Sequence, residues 1–234
     1  LNETVFPLSP VAILVNNLLT GTPPAMALGL EKAWPTIMDE PPRPPTSGLF
    51  SWEVQADIVF YGFTIGLLSI SNFWLVISGF GDGDMAQHCN KGYSDECNLV
   101  FRARGAVFAT LTLGILLHAY NCRRIRGPMW NWRMLKRFHE NKFLMGGFIS
   151  GTILCLLCMY VPGLNTEVLK MKGISWEWGI VLITLLVFLI ISELYKFGKR
   201  RFLKPLTVAT EEQVRLQRIW TESTLINSSG GLEK

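Results

Sequence analysis

The stretch VFPLSPVAILVNNLLTGTPPAMALGL, residues 5–30, contains no charged side chain and decides the class of the fold. A helix needs about 20 mostly apolar residues to cross a hydrocarbon core about 30 Å thick. Further uncharged stretches occupy residues 58–80, 105–122, 143–166 and 178–192. The last is short, but Trp and Tyr residues flank it, as they flank many membrane spans. The sequence therefore predicts an all-α, multi-pass membrane protein with about five spans.

The overall composition agrees with a membrane protein. Only 17% of the 234 residues are charged, against about 25% in typical soluble domains, and 49% are hydrophobic. A soluble helical protein would need polar faces around its buried helices, and this chain offers few. We expect spans near residues 9–29, 57–80, 103–122, 143–161 and 175–195, which together form one membrane domain, residues 1–204.

The basic residues predict how the chain lies in the membrane. Lys and Arg gather between the third and fourth spans and after the fifth, and they are sparse in the other short loops. Because basic residues accumulate on the cytoplasmic side, we expect the N-terminus outside and the C-terminus inside. The net charge of +4 then reflects topology and not nucleic-acid binding. Residues 205–234 are expected to form a cytoplasmic tail, with one short helix that begins near Thr210.

The first span carries polar residues at mid-membrane, where they are costly unless they face protein or a ligand. Asn17 and Thr20 are three residues apart, and Pro23 and Pro24 follow. A proline removes a backbone donor and leaves the carbonyl one turn earlier unpaired. Two interpretations remain open: a helix broken at the prolines that binds a cation through oxygen atoms, or a kinked helix whose polar side chains bond to neighbouring helices.

Cysteine and histidine positions suggest structural roles. Cys89 and Cys97 share a polar loop predicted to lie outside, where a disulfide and two free thiols are both plausible. Cys155 and Cys158 fall inside a span, where small packing residues are expected and not a metal or redox site. His118 is a lone imidazole in the third span and is expected to bond to a carbonyl.

Several motifs resemble the C-terminal membrane region of P-type cation-transporting ATPases. Residues 8–31 resemble the sixth transmembrane helix of that family, and MDEPPRPP at residues 38–45 resembles the loop that follows it. ARGAVFA at residues 103–109, with EWG at 177–179 and ELYKFGKRRF at 193–202, is similar to the eighth and tenth helices of the fungal sodium/potassium-exporting (ENA-type) branch. The resemblance implies helices six to ten of a ten-helix pump.

The resemblance also implies a site and a function. The sixth helix of the family typically presents Asn-x-x-Thr-Asp to the cation; Asn17 and Thr20 match the first two ligands, while Gly21 stands where the acid usually lies. The family's phosphorylated Asp-Lys-Thr-Gly motif is not in the chain, so ATP and magnesium are expected only in a complete pump. No metal is implied beyond the transported cation.

We therefore expect the membrane portion of a pump that exports a monovalent cation, sodium or potassium, across the plasma membrane. Because the chain begins with Leu1, we expect a fragment whose partners are the lipid bilayer, the transported cation and the missing N-terminal and cytoplasmic pump domains, and not nucleic acid. The alternative is a non-catalytic membrane protein derived from a pump, which would act as an interaction or regulatory subunit.

Overall fold

The computed structural model describes residues 5–31, 50–79, 81, 89–90, 93–123 and 141–202. These residues contain no β-strand, and each of their five long helices is long and apolar enough to cross a membrane. The predicted all-α, five-span architecture is confirmed. The helices are α1 (Pro10–Gly29), α2 (Trp52–Trp74), α3 (Asn98–Cys122), α4 (Lys142–Tyr160) and α5 (Trp178–Phe202).

Side-chain caps fix where three of the helices begin. The Ser9 hydroxyl accepts a hydrogen bond from the Ala12 amide (3.2 Å), and Pro10 occupies the first turn, where its missing N–H costs nothing. The Asn141 side chain caps α4 in the same way by accepting from Leu144 (3.0 Å). Ser51 caps α2. These short polar residues therefore define the positions at which the three membrane helices begin.

Short irregular turns complete the described part. A π-helical turn, Leu75–Gly79, extends α2, and a second one, Leu164–Val168, follows α4 after Gly163, whose φ of 83° suits a residue without Cβ. The last helix extends to Phe202, beyond the span expected at residues 175–195. The MDEPPRPP loop, the expected tail at residues 205–234 and its helix near Thr210 lie outside the described residues.

The third helix is the centre of the bundle. In its most apolar 18-residue window 78% of the residues are buried, against 22% to 33% in the other four helices. Small residues let neighbouring backbones approach it: a Cβ on Gly105 would lie 2.5 Å from the Lys172 carbonyl oxygen. Since α3 contacts each of the other four helices, it is the element on which side chains from the rest of the bundle converge.

The bundle has two chemically different ends. At the disulfide end, where α1 begins, Cys89 and Cys97 are joined by a disulfide. There the buried Arg104 guanidinium donates to the carbonyl oxygens of Phe6 (2.9 Å) and Cys89 (3.0 Å) and so attaches two loops to α3. We call the opposite end, where α1, α3 and α5 finish and α2 and α4 begin, the carboxyl end.

Candidate ion-binding site

The first helix divides its polar residues between two faces. Asn16 and Thr20 are buried among the neighbouring helices, with 5% and 7% of their surface exposed, whereas Asn17 is exposed. Adjacent helical residues point about 100° apart, so one of two consecutive asparagines turns inward and the other outward. Asn17 and Thr20 therefore do not share a buried face in this structure, and the inward partner of Thr20 is Asn16.

The inward face is held to α3 by hydrogen bonds. Thr112 of α3, which is fully buried, donates from Oγ1 to Asn16 Oδ1 at 2.8 Å. The Thr20 hydroxyl donates to the Asn16 backbone carbonyl, also at 2.8 Å. The sequence analysis did not predict Asn16 or Thr112 as site residues. Two successive asparagines in an apolar stretch nevertheless indicate that one of them can face the protein. The inward face is thus a structural anchor as well as a row of oxygen atoms.

The expected helix break at Pro23 and Pro24 is not present. The helix is continuous from Pro10 to Gly29, with both prolines inside it, because the fixed φ of proline is close to the helical value. The chemistry expected of the prolines still applies: neither has an N–H, so the carbonyls of Leu19 and Thr20 lack their usual donors four residues ahead. Oxygen acceptors are therefore provided by an intact helix.

The outward face is open. Asn17 and Gly21 lie one helical turn apart on it, and a Cβ added to Gly21 would meet nothing within 4 Å. Pro23 instead lies near α4, where Gly147 leaves room for the proline backbone. The position at which the resemblance lacks an acid therefore has space for a larger side chain.

A second buried polar network joins the helices away from α1. Asn72 of α2 donates from Nδ2 to Thr110 Oγ1 on α3 at 2.7 Å, and its Oδ1 accepts from Thr184 Oγ1 on α5, also at 2.7 Å. All three side chains are buried. Thr110 and Thr112 lie two residues apart on α3 and so serve opposite sides of it. None of these three residues was selected from the sequence, because an isolated Asn or Thr in an apolar span gives no sign of its partner.

Ion pairs close the carboxyl end of the bundle. Arg123, just after α3, pairs with Glu31, just after α1. The Lys199 ammonium of α5 lies 2.7 Å from Asp57 Oδ2 and 2.9 Å from Glu53 Oε1, both on α2. The Tyr195 hydroxyl donates to Asp57 Oδ1 at 2.9 Å. These contacts fix the helix ends relative to one another and to the polar row on α1.

A bundle of spanning helices that carries buried oxygen atoms, and carbonyls without their usual donors ahead of two prolines, offers groups able to contact a cation within the membrane. Residues 5–198 match the family described as cation transporting ATPase, C-terminus, and the chain belongs to that family. It is the C-terminal membrane part of a P-type cation ATPase.

The relatives place the chain within this family. It is 34% identical over 233 residues to the sodium/potassium exporting P-type ATPase cta3 of Schizosaccharomyces pombe, covering 95% of the chain and 22% of that protein. It is 36% identical over 211 residues to sodium/potassium exporting P-type ATPase 1 of Saccharomyces cerevisiae, covering 86% and 19%. A calcium-transporting ATPase of Bacillus subtilis is 30% identical over 181 residues, covering 75% and 17%. The chain thus spans about a fifth of the length of these relatives, and the predicted resemblance is confirmed.

Proposed function

We propose that this chain is the C-terminal half of the membrane domain of a pump that exports sodium or potassium. In that pump α1 contributes part of the ion pathway. Two of the relatives described above are named for sodium and potassium export. In the complete pump, ATP and magnesium bind to the missing N-terminal and cytoplasmic domains. The membrane domain is residues 1–204 with a cytoplasmic tail at 205–234, the N-terminus lies outside, and the pump resides in the plasma membrane.

One observation carries the proposal for α1: its polar residues lie on two faces with different surroundings. Asn16 and Thr20 are packed against α3, whereas Asn17 and Gly21 stay exposed after the other four described helices have packed. In the proposed pump the missing helices cover this outward face. Asn17 then offers its amide oxygen to a cation from one side, and the unpaired carbonyls of Leu19 and Thr20 offer theirs at the adjacent turn. Hard cations are bound through oxygen atoms of these kinds.

The experiment is cation-stimulated phosphorylation of the complete pump with substitutions in α1. In Asn17→Ala we expect the cation concentration for half-maximal phosphorylation to rise about tenfold, the effect of losing roughly 1.4 kcal/mol of binding. Thr20→Ala should also weaken the response, because it removes the inward hydroxyl that bonds to the Asn16 carbonyl of the ligand-bearing helix. Thr20→Ser should restore it, since serine keeps the hydroxyl. Unchanged cation responses in Asn17→Ala and Thr20→Ala, with normal expression, would contradict the proposal.

Gly21→Asp supplies the test in the opposite direction. A carboxylate there lies one turn from Asn17, and the backbone at Gly21 has space for it. We expect tighter cation binding or an altered preference between sodium and potassium. Gly29→Asp is the matched control, because Gly29 is equally open but lies two turns further along. If no cation occupies this region, an unpaired carboxylate in the membrane is costly, and Gly21→Asp will be poorly expressed with no gain in response.

A further inference from the structure

A cavity of about 250 Å³ lies at the carboxyl end, between α2, α3 and α5. It is separate from the polar row on α1. Its polar lining comes from all three helices: Asp57, Tyr61, His118, Asn121, Cys122 and Lys196. The remaining wall is aliphatic. A half-open space bordered by several polar groups at one end of a membrane bundle is able to admit a small polar ligand.

Two metal-binding donor atoms face each other at this cavity. His118 Nε2 and Cys122 Sγ lie one helical turn apart on α3, and 3.3 Å separates them. The imidazole thus contacts a thiol and not the carbonyl expected from the sequence. Zinc binds histidine nitrogen at about 2.0–2.1 Å and cysteine sulfur at about 2.3 Å, so a tetrahedral ion holds two such donors roughly 3.5 Å apart. The pair already stands close to that separation.

The adjacent residue offers an oxygen donor in the same wall. Asn121 is only 2% exposed, and its side chain interacts with that of Tyr61. Its Oδ1 has no hydrogen-bond partner in the described ranges. The buried Nδ1 of His118 is unbonded in the same sense. Buried polar atoms in native proteins almost always have a hydrogen-bond partner, because a buried polar atom without one costs about 1–3 kcal/mol. This wall therefore suits a polar or ionic guest.

The charges around the cavity permit a cation. The positive charge of Lys196 disfavours a bound cation, but its ammonium donates to the Asn121 backbone carbonyl at 2.8 Å. Lys199 is paired with Asp57 and Glu53. Among the residues that line the cavity only Asp57 and Lys196 carry a formal charge. The lining is therefore close to neutral before any ligand binds.

We propose that His118 and Cys122 bind a divalent transition metal ion, of the Zn²⁺ or Cd²⁺ type, at the mouth of this cavity, with Asn121 Oδ1 and water as the remaining ligands. Thiolate and imidazole together select such ions over Mg²⁺ or Ca²⁺, which prefer oxygen. On binding, the Cys122 thiol transfers its proton to solvent and the thiolate bonds to the metal, with no change of oxidation state.

The proposed site has two strong protein ligands. In the described part of the chain, no three His, Cys, Asp or Glu side chains converge on one point. The affinity is accordingly expected to be lower than that of structural zinc sites, which use four protein ligands. A site of this affinity suits a regulatory metal, which inhibits or modulates the protein, better than a structural metal that the fold requires.

The test uses the purified chain in detergent and two readouts. Zn²⁺ should slow the alkylation of Cys122, which is an exposed thiol, whereas Cys155 and Cys158 are buried. Cd²⁺ should produce an ultraviolet thiolate-to-metal charge-transfer band. Cys122→Ser should abolish this band, His118→Gln should lower Zn²⁺ affinity by at least about tenfold, and the control Cys155→Ser should change neither.

Three results would overturn the proposal. The first is unprotected alkylation of wild-type Cys122 at about 1 mM Zn²⁺, a concentration that would fill even a weak site. The second is a Cd²⁺ band that persists in Cys122→Ser, and the third is unchanged Zn²⁺ affinity in His118→Gln. The folding of each variant is checked by the continued protection of Cys158 from alkylation, and the wild-type result decides the proposal even if a variant does not fold.

Discussion

Thr112, at the centre of α3, donates a 2.8 Å hydrogen bond to the side-chain oxygen of Asn16 on α1. Both residues are almost completely buried, and the bond orients the helix that carries the proposed ion ligands. Because Asn16 is fixed inward, Asn17 is necessarily turned outward. The rotation of α1 about its axis, and with it the identity of the open face, depends on this pair.

Replacing Thr112 by valine should therefore destabilise the bundle. Valine keeps the shape of threonine but leaves Asn16 Oδ1 buried without this donor, and we expect a loss of about 1 kcal/mol of unfolding free energy. The control is Thr152→Val, because within the described residues the Thr152 hydroxyl bonds only to the Phe148 carbonyl of its own helix. Thermal unfolding in detergent, followed by tryptophan fluorescence, measures both. Equal midpoints for the two variants would show that the interhelical bond contributes nothing.

Two helical glycines should respond differently to alanine. A methyl group on Gly105 would collide with the Lys172 carbonyl oxygen at 2.5 Å, so backbone must move, and we expect a loss of about 1–3 kcal/mol. A methyl group on Gly66 of α2 meets nothing within 4 Å, so Gly66→Ala should cause no loss. Denaturation midpoints of the two variants compare them directly. If Gly105→Ala proved as stable as Gly66→Ala, the close contact between the Lys172 carbonyl and Gly105 of α3 would be refuted.

The five cysteines should fall into three classes of reactivity. In the folded, unreduced and metal-free protein a maleimide should modify Cys122 alone, since Cys89 and Cys97 are bonded to each other and Cys155 and Cys158 are buried. Denaturation without reductant should add two labels, and reduction two more. Intact-mass spectrometry counts the labels and peptide mapping locates them. Modification of Cys89 or Cys97 before reduction would refute the disulfide.

Removing the Lys199 charge should weaken the carboxyl end. The ammonium lies between Asp57 and Glu53, and its side chain is only 6% exposed. In Lys199→Gln the two carboxylates lose the ammonium that they share, and we expect a loss of about 2 kcal/mol, below the 3–5 kcal/mol of fully buried pairs because the carboxylates are partly exposed. Arg201→Gln, an exposed position two residues further along, is the control.

The comparison of these two variants is made by thermal unfolding at low and high salt. We expect high salt to reduce the difference only slightly, because a buried ammonium is poorly screened. A deficit in Lys199→Gln that vanished in high salt would instead indicate a surface ion pair.

The sequence was sufficient for the features that depend on local chemistry. The absence of charge from long stretches predicted the five spans, because each charged side chain at the bilayer centre is costly. The stretch at residues 8–31 and the run at residues 38–45 carried the resemblance to the family. The helix α5 continues to Phe202, past the span expected at residues 175–195, and Lys196 and Lys199 in this extension bond to Asn121 and Asp57.

The tertiary structure alone decided which side of each helix faces the protein. In a soluble helix the polar face reveals the orientation, but lipid is as apolar as the packed interior, so a spanning helix shows no such contrast. Hence Asn16 and Asn17 were equivalent in the sequence until Thr112 selected one of them. The same reason hid the partners of Asn72. Local composition determines which segments cross the membrane. Which side chains contact one another inside it depends on residues distant in the sequence that only folding brings together.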